Sequence, residues 1–128
     1  MKRSLDIAWA AGIIEGEGTM GLYRSSRTSH RHPTVALSMT DRDIVVRVHH
    51  ICGFGGSIMD NPERSRFGRK RQYKINATGA RAIGIIMTIY QFLGERRRQR
   101  AGQILAYWRD TRGLGRYFSW KKLKGTAR

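Results

Sequence analysis

The sequence predicts an α+β fold, in which a four-stranded antiparallel sheet carries helices on one face. Apolar residues alternate between helical and strand periods in the order helix, strand, strand, helix, strand, strand, helix (αββαββα). A chain of 128 residues suits one domain with a modest core. We therefore expect a single domain over residues 1–110 and a basic, aromatic tail over residues 111–128.

Apolar spacing and cap residues predict four elements in the first half of the chain. The first helix is apolar almost all round, so we expect it to be buried. Thr40 can cap the second helix, and Gly53 stops it. The four elements are a helix over 5–16, strands over 19–26 and 34–39, and a helix over 41–52.

The second half of the chain repeats this order of elements. Thr78 can cap the third helix, and Gly94 ends it. The predicted elements are strands over 56–60 and 69–77, a helix over 79–93 and a last helix over 95–110.

The formal net charge of +16 is concentrated in the second half. Residues 61–128 hold 18 of the 25 Lys and Arg residues but only three of the nine Asp and Glu residues. Such a field attracts a polyanion and speeds its association. Nucleic acid and an anionic membrane surface are the two candidates. We favour nucleic acid because no segment combines one basic face with one bare apolar face.

The cysteine content and the apolar segments favour an intracellular, cytoplasmic protein. Cys52 is the only cysteine, so no internal disulfide forms, which is compatible with a reducing compartment. Asp6 interrupts the apolar N-terminus, and no clean signal-peptide cleavage region follows. The longest apolar run, residues 83–93, is too short to span a bilayer. We expect neither a membrane nor a small-molecule partner.

Residues 8–18 combine a row of small side chains with two carboxylates. Ala8, Gly12 and Gly16 recur every four residues, so they form one row along a helix and let another backbone come close. Two helical glycines cost about 1 kcal/mol each relative to alanine, which close packing can offset. That packing could lie within the domain or between two chains. Glu15 and Glu17 follow at the end of the helix, in a chain with few acids.

The nonapeptide AAGIIEGEG, residues 10–18, resembles the LAGLIDADG motif of homing endonucleases, with glutamate at both acidic positions. The order of elements strengthens the resemblance. The later stretch QYKINATGARAIGIIMTIYQFLGERRRQRAGQILAYW, residues 72–108, is similar to the final strand, helix and basic helix start of that family. The resemblance covers residues 5–110, and the tail lies outside it.

This resemblance implies a homodimer, because single-motif members of the family act as pairs on nearly palindromic DNA. The motif helices of two copies would pack through their small residues, with Glu15 at the same interface or bonded to backbone at the helix end. Glu17, with Gly16 beside it, would bind Mg²⁺ near the two-fold axis. The interface residues would be Ala8, Ala11, Gly12, Glu15 and Gly16.

The family also implies a set of DNA contacts and catalytic helpers. A basic residue near the scissile phosphate would be Arg96 or Arg97, and Ser38 would position water at the end of the second strand. Strand side chains would read the major groove, where arginine commonly contacts guanine. The candidates for this reading are Arg24, Ser26, Arg27, His30, Arg69, Arg71 and Lys74.

Three alternatives stay open at this point. The glutamate at position 17 is one methylene longer than aspartate, so the chain could bind DNA as a regulator, or assist RNA splicing as a maturase, without cleaving. A general basic RNA-binding protein would show steep salt dependence without sequence preference. The four histidines could suggest zinc, but one cysteine and no paired ligand spacing argue against a structural site.

Overall fold

The computed structural model describes residues 2–24, 30–61 and 70–111, and its architecture is the predicted α+β arrangement. A 3₁₀ turn, Tyr90–Phe92, follows the third helix. The elements are α1 (Lys2–Glu17), β1 (Gly18–Arg24), β2 (Arg31–Met39), α2 (Arg42–Cys52), β3 (Met59–Asn61), β4 (Gln72–Thr78), α3 (Gly79–Ile89) and α4 (Glu95–Thr111).

The four strands form one antiparallel sheet in the order β1-β2-β4-β3. Alternate residues of each strand face the helices, as the period of two requires. Val35, Leu37 and Ile75 on this helix-covered face are fully buried or nearly so. Their neighbours Ala36, Ser38 and Lys74 lie on the opposite, open face. The core therefore sits between the sheet and the helices, and the other side of the sheet stays accessible.

Two cap predictions need correction. Thr40 does not cap α2, because Asp41 is the extended residue that precedes the first helical one, and no side-chain cap bond forms. Thr78 does precede α3, again without a side-chain cap bond. Gly53 ends α2 as predicted: it adopts a φ of 66° and donates its N–H to the His49 carbonyl.

The third strand is shorter than the sequence predicts. Gly55 and Gly56 adopt φ values of 68° and 63°, which an extended strand does not contain, so pairing begins only at Met59. Within the described ranges, no helix is both long and apolar enough to cross a membrane. Three predicted site residues, Ser26, Arg27 and Arg69, lie outside the described residues, as does the tail after Thr111.

Candidate nucleic-acid interface and metal site

Glu17 occupies a junction with no connecting loop. It is the last residue of α1, and β1 begins at the next residue. Gly18 makes this junction possible, since a Cβ there would lie 2.8 Å from both the Ile14 side chain and the Ile14 carbonyl oxygen. The chain therefore turns directly from helix to strand, and Glu17 is held, exposed, at the rim of the open face.

A groove of about 560 Å³ begins at Glu17 and runs over the open face. It brings together side chains from α1 and all four strands. Among the described residues, the Glu17 carboxylate has no hydrogen bond or ion pair, so its oxygens are available to a ligand. The lining residues are Glu17, Thr19, Ala36, Leu37, Ser38, Met59, Asp60, Gln72 and Lys74.

Ser38 lines this groove together with a residue that sequence reasoning missed. Its hydroxyl donates a 2.9 Å hydrogen bond to the side-chain carbonyl of Gln72. The Gln72 amide nitrogen can then donate toward a ligand. Only the pairing of β2 with β4 brings these residues together across 34 positions of sequence. The one sequence signal was that Gln72 and Lys74 are two residues apart in a predicted strand and so share a face.

Glu15, two residues before Glu17, is engaged within the chain. Its Oε1 accepts the backbone N–H of Gly94 at 2.7 Å. Its Oε2 lies 3.1 Å from Nε of Arg97, whose side chain is only 15% exposed. These two atoms are buried and face each other outside hydrogen-bond geometry, so the contact is mainly electrostatic. Glu15 thus fastens the end of α1 to the start of α4.

This contact separates the two arginine candidates. Arg97 is occupied by Glu15 and is largely buried. Arg96 is exposed and makes no ion pair with any described residue. Of the two, only Arg96 has a guanidinium that can reach a phosphate without breaking an internal contact.

Of the predicted interface residues on α1, Gly12 and Gly16 are exposed, whereas Ala11 is not. A Cβ built on Gly12 or Gly16 would meet no atom within 4 Å. Ala8 is half-buried beside them, and Leu5, on the same helix, is 71% exposed. Ala11, which was predicted to share this interface, is instead fully buried in the core of its own domain. It is rotated by about 100° from Gly12 around the helix axis, toward the side that packs on the core.

The strand register does not place all the basic candidates on the open face of the sheet. Lys74 lies on the open face, next to the groove. Arg24 does not: it has the register of Met20 and Leu22, which face the helices, although it is exposed at the end of β1. Arg71 precedes β4 and pairs with Asp60 at 3.4 Å.

Two residues on the open face were not predicted from the sequence to contact DNA. Tyr23 and His32 pair with each other across β1 and β2 and line a second groove of about 340 Å³ beside Lys74. His30, predicted to read DNA, packs against Tyr107 of α4, with the ring centroids 5.8 Å apart and the ring planes tilted by 35°. Burial and then the nearby charge of His32 lower the His30 pKa.

The described residues contain no group of three or more histidine, cysteine or acidic side chains close enough to hold a metal ion. Burial raises the pKa of the Cys52 thiol to about 11, so it stays protonated near neutral pH and is a poor zinc ligand. His49, on α2, is half-buried. Its Nε2 donates to the carbonyls of Gly55 and Gly56.

Comparison with known proteins identifies the fold. No protein-family model and no curated protein sequence matches the chain. Among solved structures, the homing endonuclease I-CvuI, bound to DNA, is 16% identical with a TM-score of 0.67 over 82% of this chain. The LAGLIDADG homing endonuclease I-GzeII, in complex with a DNA target, is 13% identical with a TM-score of 0.62 over 93% of this chain. The chain has the LAGLIDADG homing-endonuclease fold.

A third solved structure is also similar to this chain. The archaeal intron-encoded homing endonuclease I-Vdi141I, complexed with DNA, is 17% identical with a TM-score of 0.59 over 86% of this chain. The known chains are longer: this one spans 66% of I-CvuI, 69% of I-Vdi141I and 41% of I-GzeII. The LAGLIDADG resemblance noted in the sequence is therefore confirmed at the level of the fold.

Proposed function

We propose that this protein is a site-specific DNA endonuclease that uses Mg²⁺ and acts as a homodimer on a long, nearly palindromic target. One observation carries the proposal. At the end of α1, Glu15 is bonded within the chain, whereas Glu17 is exposed and unpartnered among the described residues, at the head of a groove on the open face. The neighbours I-CvuI and I-GzeII, solved with DNA, support the choice of substrate.

The ligands that one copy supplies fit one half of a Mg²⁺ site, and a second copy would supply the other half. Carboxylate oxygens are ligands that Mg²⁺ prefers, and it commonly takes one or two of them together with phosphate oxygens and water. One copy supplies Glu17, with the exposed Gly16 backbone beside it. A bound Mg²⁺ would supply an activated water and charge neutralisation at the leaving oxygen. The neighbour I-CvuI was solved in the presence of Mg or Ca.

A second copy would complete the site by packing on the exposed face of α1. The open space around Gly12 and Gly16 admits another helix backbone. Such an interface is isologous, so it brings the two Glu17 residues to the same two-fold axis. Two carboxylates at that distance repel one another unless cations lie between them. A two-fold protein also matches a two-fold DNA site.

The remaining residues of the chain would hold and orient DNA. Lys74, which lines the groove with Glu17, and the exposed Arg96 at the start of α4 would supply positive charge to phosphates. Ser38 and Gln72 would hold a water or a phosphate oxygen by hydrogen bonding. Arg24, Arg71 and the undescribed Ser26, Arg27 and Arg69 remain proposed DNA contacts. Since the proposed substrate is genomic DNA, we also propose an intracellular location and a role in intron homing.

The test is cleavage of a randomised palindromic DNA library, with Mg²⁺ and with Ca²⁺. We expect one sequence to be cut with Mg²⁺ only. Glu17→Gln should lower cleavage by about 10²–10³-fold, because it removes a metal ligand, and should leave DNA binding within a few-fold. Asp43→Asn, an exposed carboxylate on α2, changes the charge equally and should cleave like the wild type.

Two results would contradict the proposal. Enrichment of one sequence without cutting in either metal would favour the regulator or maturase alternative. Equal cleavage by Glu17→Gln and wild type would remove Glu17 from the metal site.

A further inference from the structure

One side chain connects the last turns of α4 to the turn end of the β1–β2 hairpin, where β2 begins. The Tyr107 hydroxyl oxygen accepts the backbone N–H of Arg31 at 3.1 Å, across 76 positions of sequence. The same oxygen lies 3.4 Å from Nδ1 of His30, and the two rings are tilted by 35°. One phenol thus contacts two consecutive residues where the chain re-enters the sheet.

Tyr107 is itself held firmly. The Thr111 hydroxyl donates a 2.7 Å hydrogen bond to the Tyr107 carbonyl, which closes the last turn of α4. On the same helix, Ala101 and Ile104 are fully buried, and Trp108 packs against the core. The hydroxyl therefore reaches the hairpin from a fixed support.

The open face of β1 and β2 ends at this turn end of the hairpin. Arg24, the last residue of β1, pairs with Arg31, the first residue of β2. Tyr23 and His32, the next pair inward, are the last open-face residues of the two strands. A shift of Arg31 would therefore move this pair directly, because the ladder joins them.

We propose that Tyr107 is a positioning residue for DNA recognition: it fixes the far end of the β1–β2 hairpin and so sets base specificity without touching DNA. The inference rests on the proposed DNA-binding function. Arg24 lies six residues beyond Gly18, or about 20 Å along β1. With β1 aligned along the DNA axis, this length corresponds to roughly six base pairs at about 3.4 Å each, so Tyr107 would act on base pairs about six positions from the nucleotides near Glu17.

The test uses Tyr107→Phe, which keeps the ring and removes the hydroxyl, against Tyr90→Phe, which removes a hydroxyl from the helical layer. The dissociation constant is measured for the cognate site and for every single-base variant. Tyr107→Phe should weaken cognate binding by about 2–10-fold, as the loss of one or two hydrogen bonds predicts. The loss of discrimination should fall on base pairs about six positions from the cut. Single-turnover cleavage at saturating DNA, and the Tyr90→Phe profile, should match the wild type.

Amide hydrogen exchange in the DNA-free protein tests the contact between Tyr107 and Arg31 separately from its role in DNA recognition. Faster exchange at Arg31 in Tyr107→Phe is expected, whatever the protein binds. Unchanged exchange at Arg31 would overturn the fastening itself. A uniform loss of affinity over all base pairs, or an unchanged specificity profile, would overturn the role in recognition. If wild-type protein binds no DNA sequence selectively, the proposed function fails, and the Arg31 measurement still reports on the contact.

Discussion

The end of α1 has an inner side, which packs on the rest of the domain, and an outer side, which faces solvent. Each side contains one glutamate and one glycine, but only those of the inner side contact other described residues. Glu15 is bonded to Gly94 and Arg97, whereas Glu17 has no partner among the described residues. Gly18 has no room for a Cβ, whereas a Cβ on Gly16 would meet nothing. The inner side is completed by the chain's own fold. The outer side is left open, which is the condition that binding to another molecule requires.

Alanine substitutions of the two glycines should give the largest difference in the free energy of unfolding between the two sides. Gly18→Ala should lower the free energy of unfolding by about 2–3 kcal/mol, because its Cβ overlaps the Ile14 backbone, which cannot move aside easily. Gly16→Ala should raise it by up to about 1 kcal/mol through helix propensity. Urea unfolding at several protein concentrations measures both and separates any contribution from self-association.

If Gly18→Ala and Gly16→Ala changed the free energy of unfolding equally, the distinction between the inner and outer sides would be wrong. A tolerated alanine at position 18 would mean that α1 can shift along β1, and Glu17 would then lack the fixed position on which the proposed metal site depends.

The glutamates give an intermediate difference. Glu15→Gln should lower the free energy of unfolding by about 1–2 kcal/mol, since the largely buried Arg97 loses its counter-charge, an effect reduced by the one-third exposure of Glu15. The glutamine can still accept the Gly94 N–H. Glu17→Gln should change stability by no more than about 0.5 kcal/mol. Thermal and urea unfolding of the two variants provide the comparison, and a larger loss for Glu17→Gln would reverse the assignment of the two carboxylates.

The smallest difference in stability is expected between alanine variants of Gly12 and Gly84, two helical glycines with open surroundings. Gly12→Ala should stabilise the fold by up to about 1 kcal/mol and weaken self-association, because a methyl group enters the face on which a second helix would pack. Gly84→Ala, at an equally open site on α3, is the matched control: it should stabilise similarly and leave association unchanged. Sedimentation equilibrium measures the association. The same association constant for both variants would place the dimer interface elsewhere.

Sequence patterns were sufficient for the order of elements because local periodicity and glycine stops are short-range signals. The α2 boundary at Gly53 and the start of α4 at Glu95 were found in this way. The prediction that α3 continues to Leu93 was wrong, because the helix ends at Ile89 and a 3₁₀ turn follows it. The contacts within the site were harder to predict from the sequence, because they join residues far apart in the chain. Glu15 meets Gly94 across 79 positions, and Ser38 meets Gln72 only because β2 pairs with β4.

Register decided the remaining differences from the sequence prediction. A change of one residue in a strand moves a side chain to the other face, so Arg24 shares the register of Leu22 while Tyr23 and His32 occupy the open side. On α4, one residue separates Arg96 from Arg97, and only the structure reveals which is bonded to Glu15. Spacing in the sequence cannot resolve such single-residue choices at strand ends and helix starts.

The loop-free junction at Gly18 has a mechanical consequence. Since α1 continues into β1 with no intervening residue, no flexible loop separates the angle of α1 from the start of β1. A 5° rotation of β1 about Glu17 would displace its far end, about 20 Å away, by about 2 Å. The angle at which α1 meets a neighbour would thereby set the curvature and span of the whole open sheet, and small substitutions far from that surface could widen or narrow it.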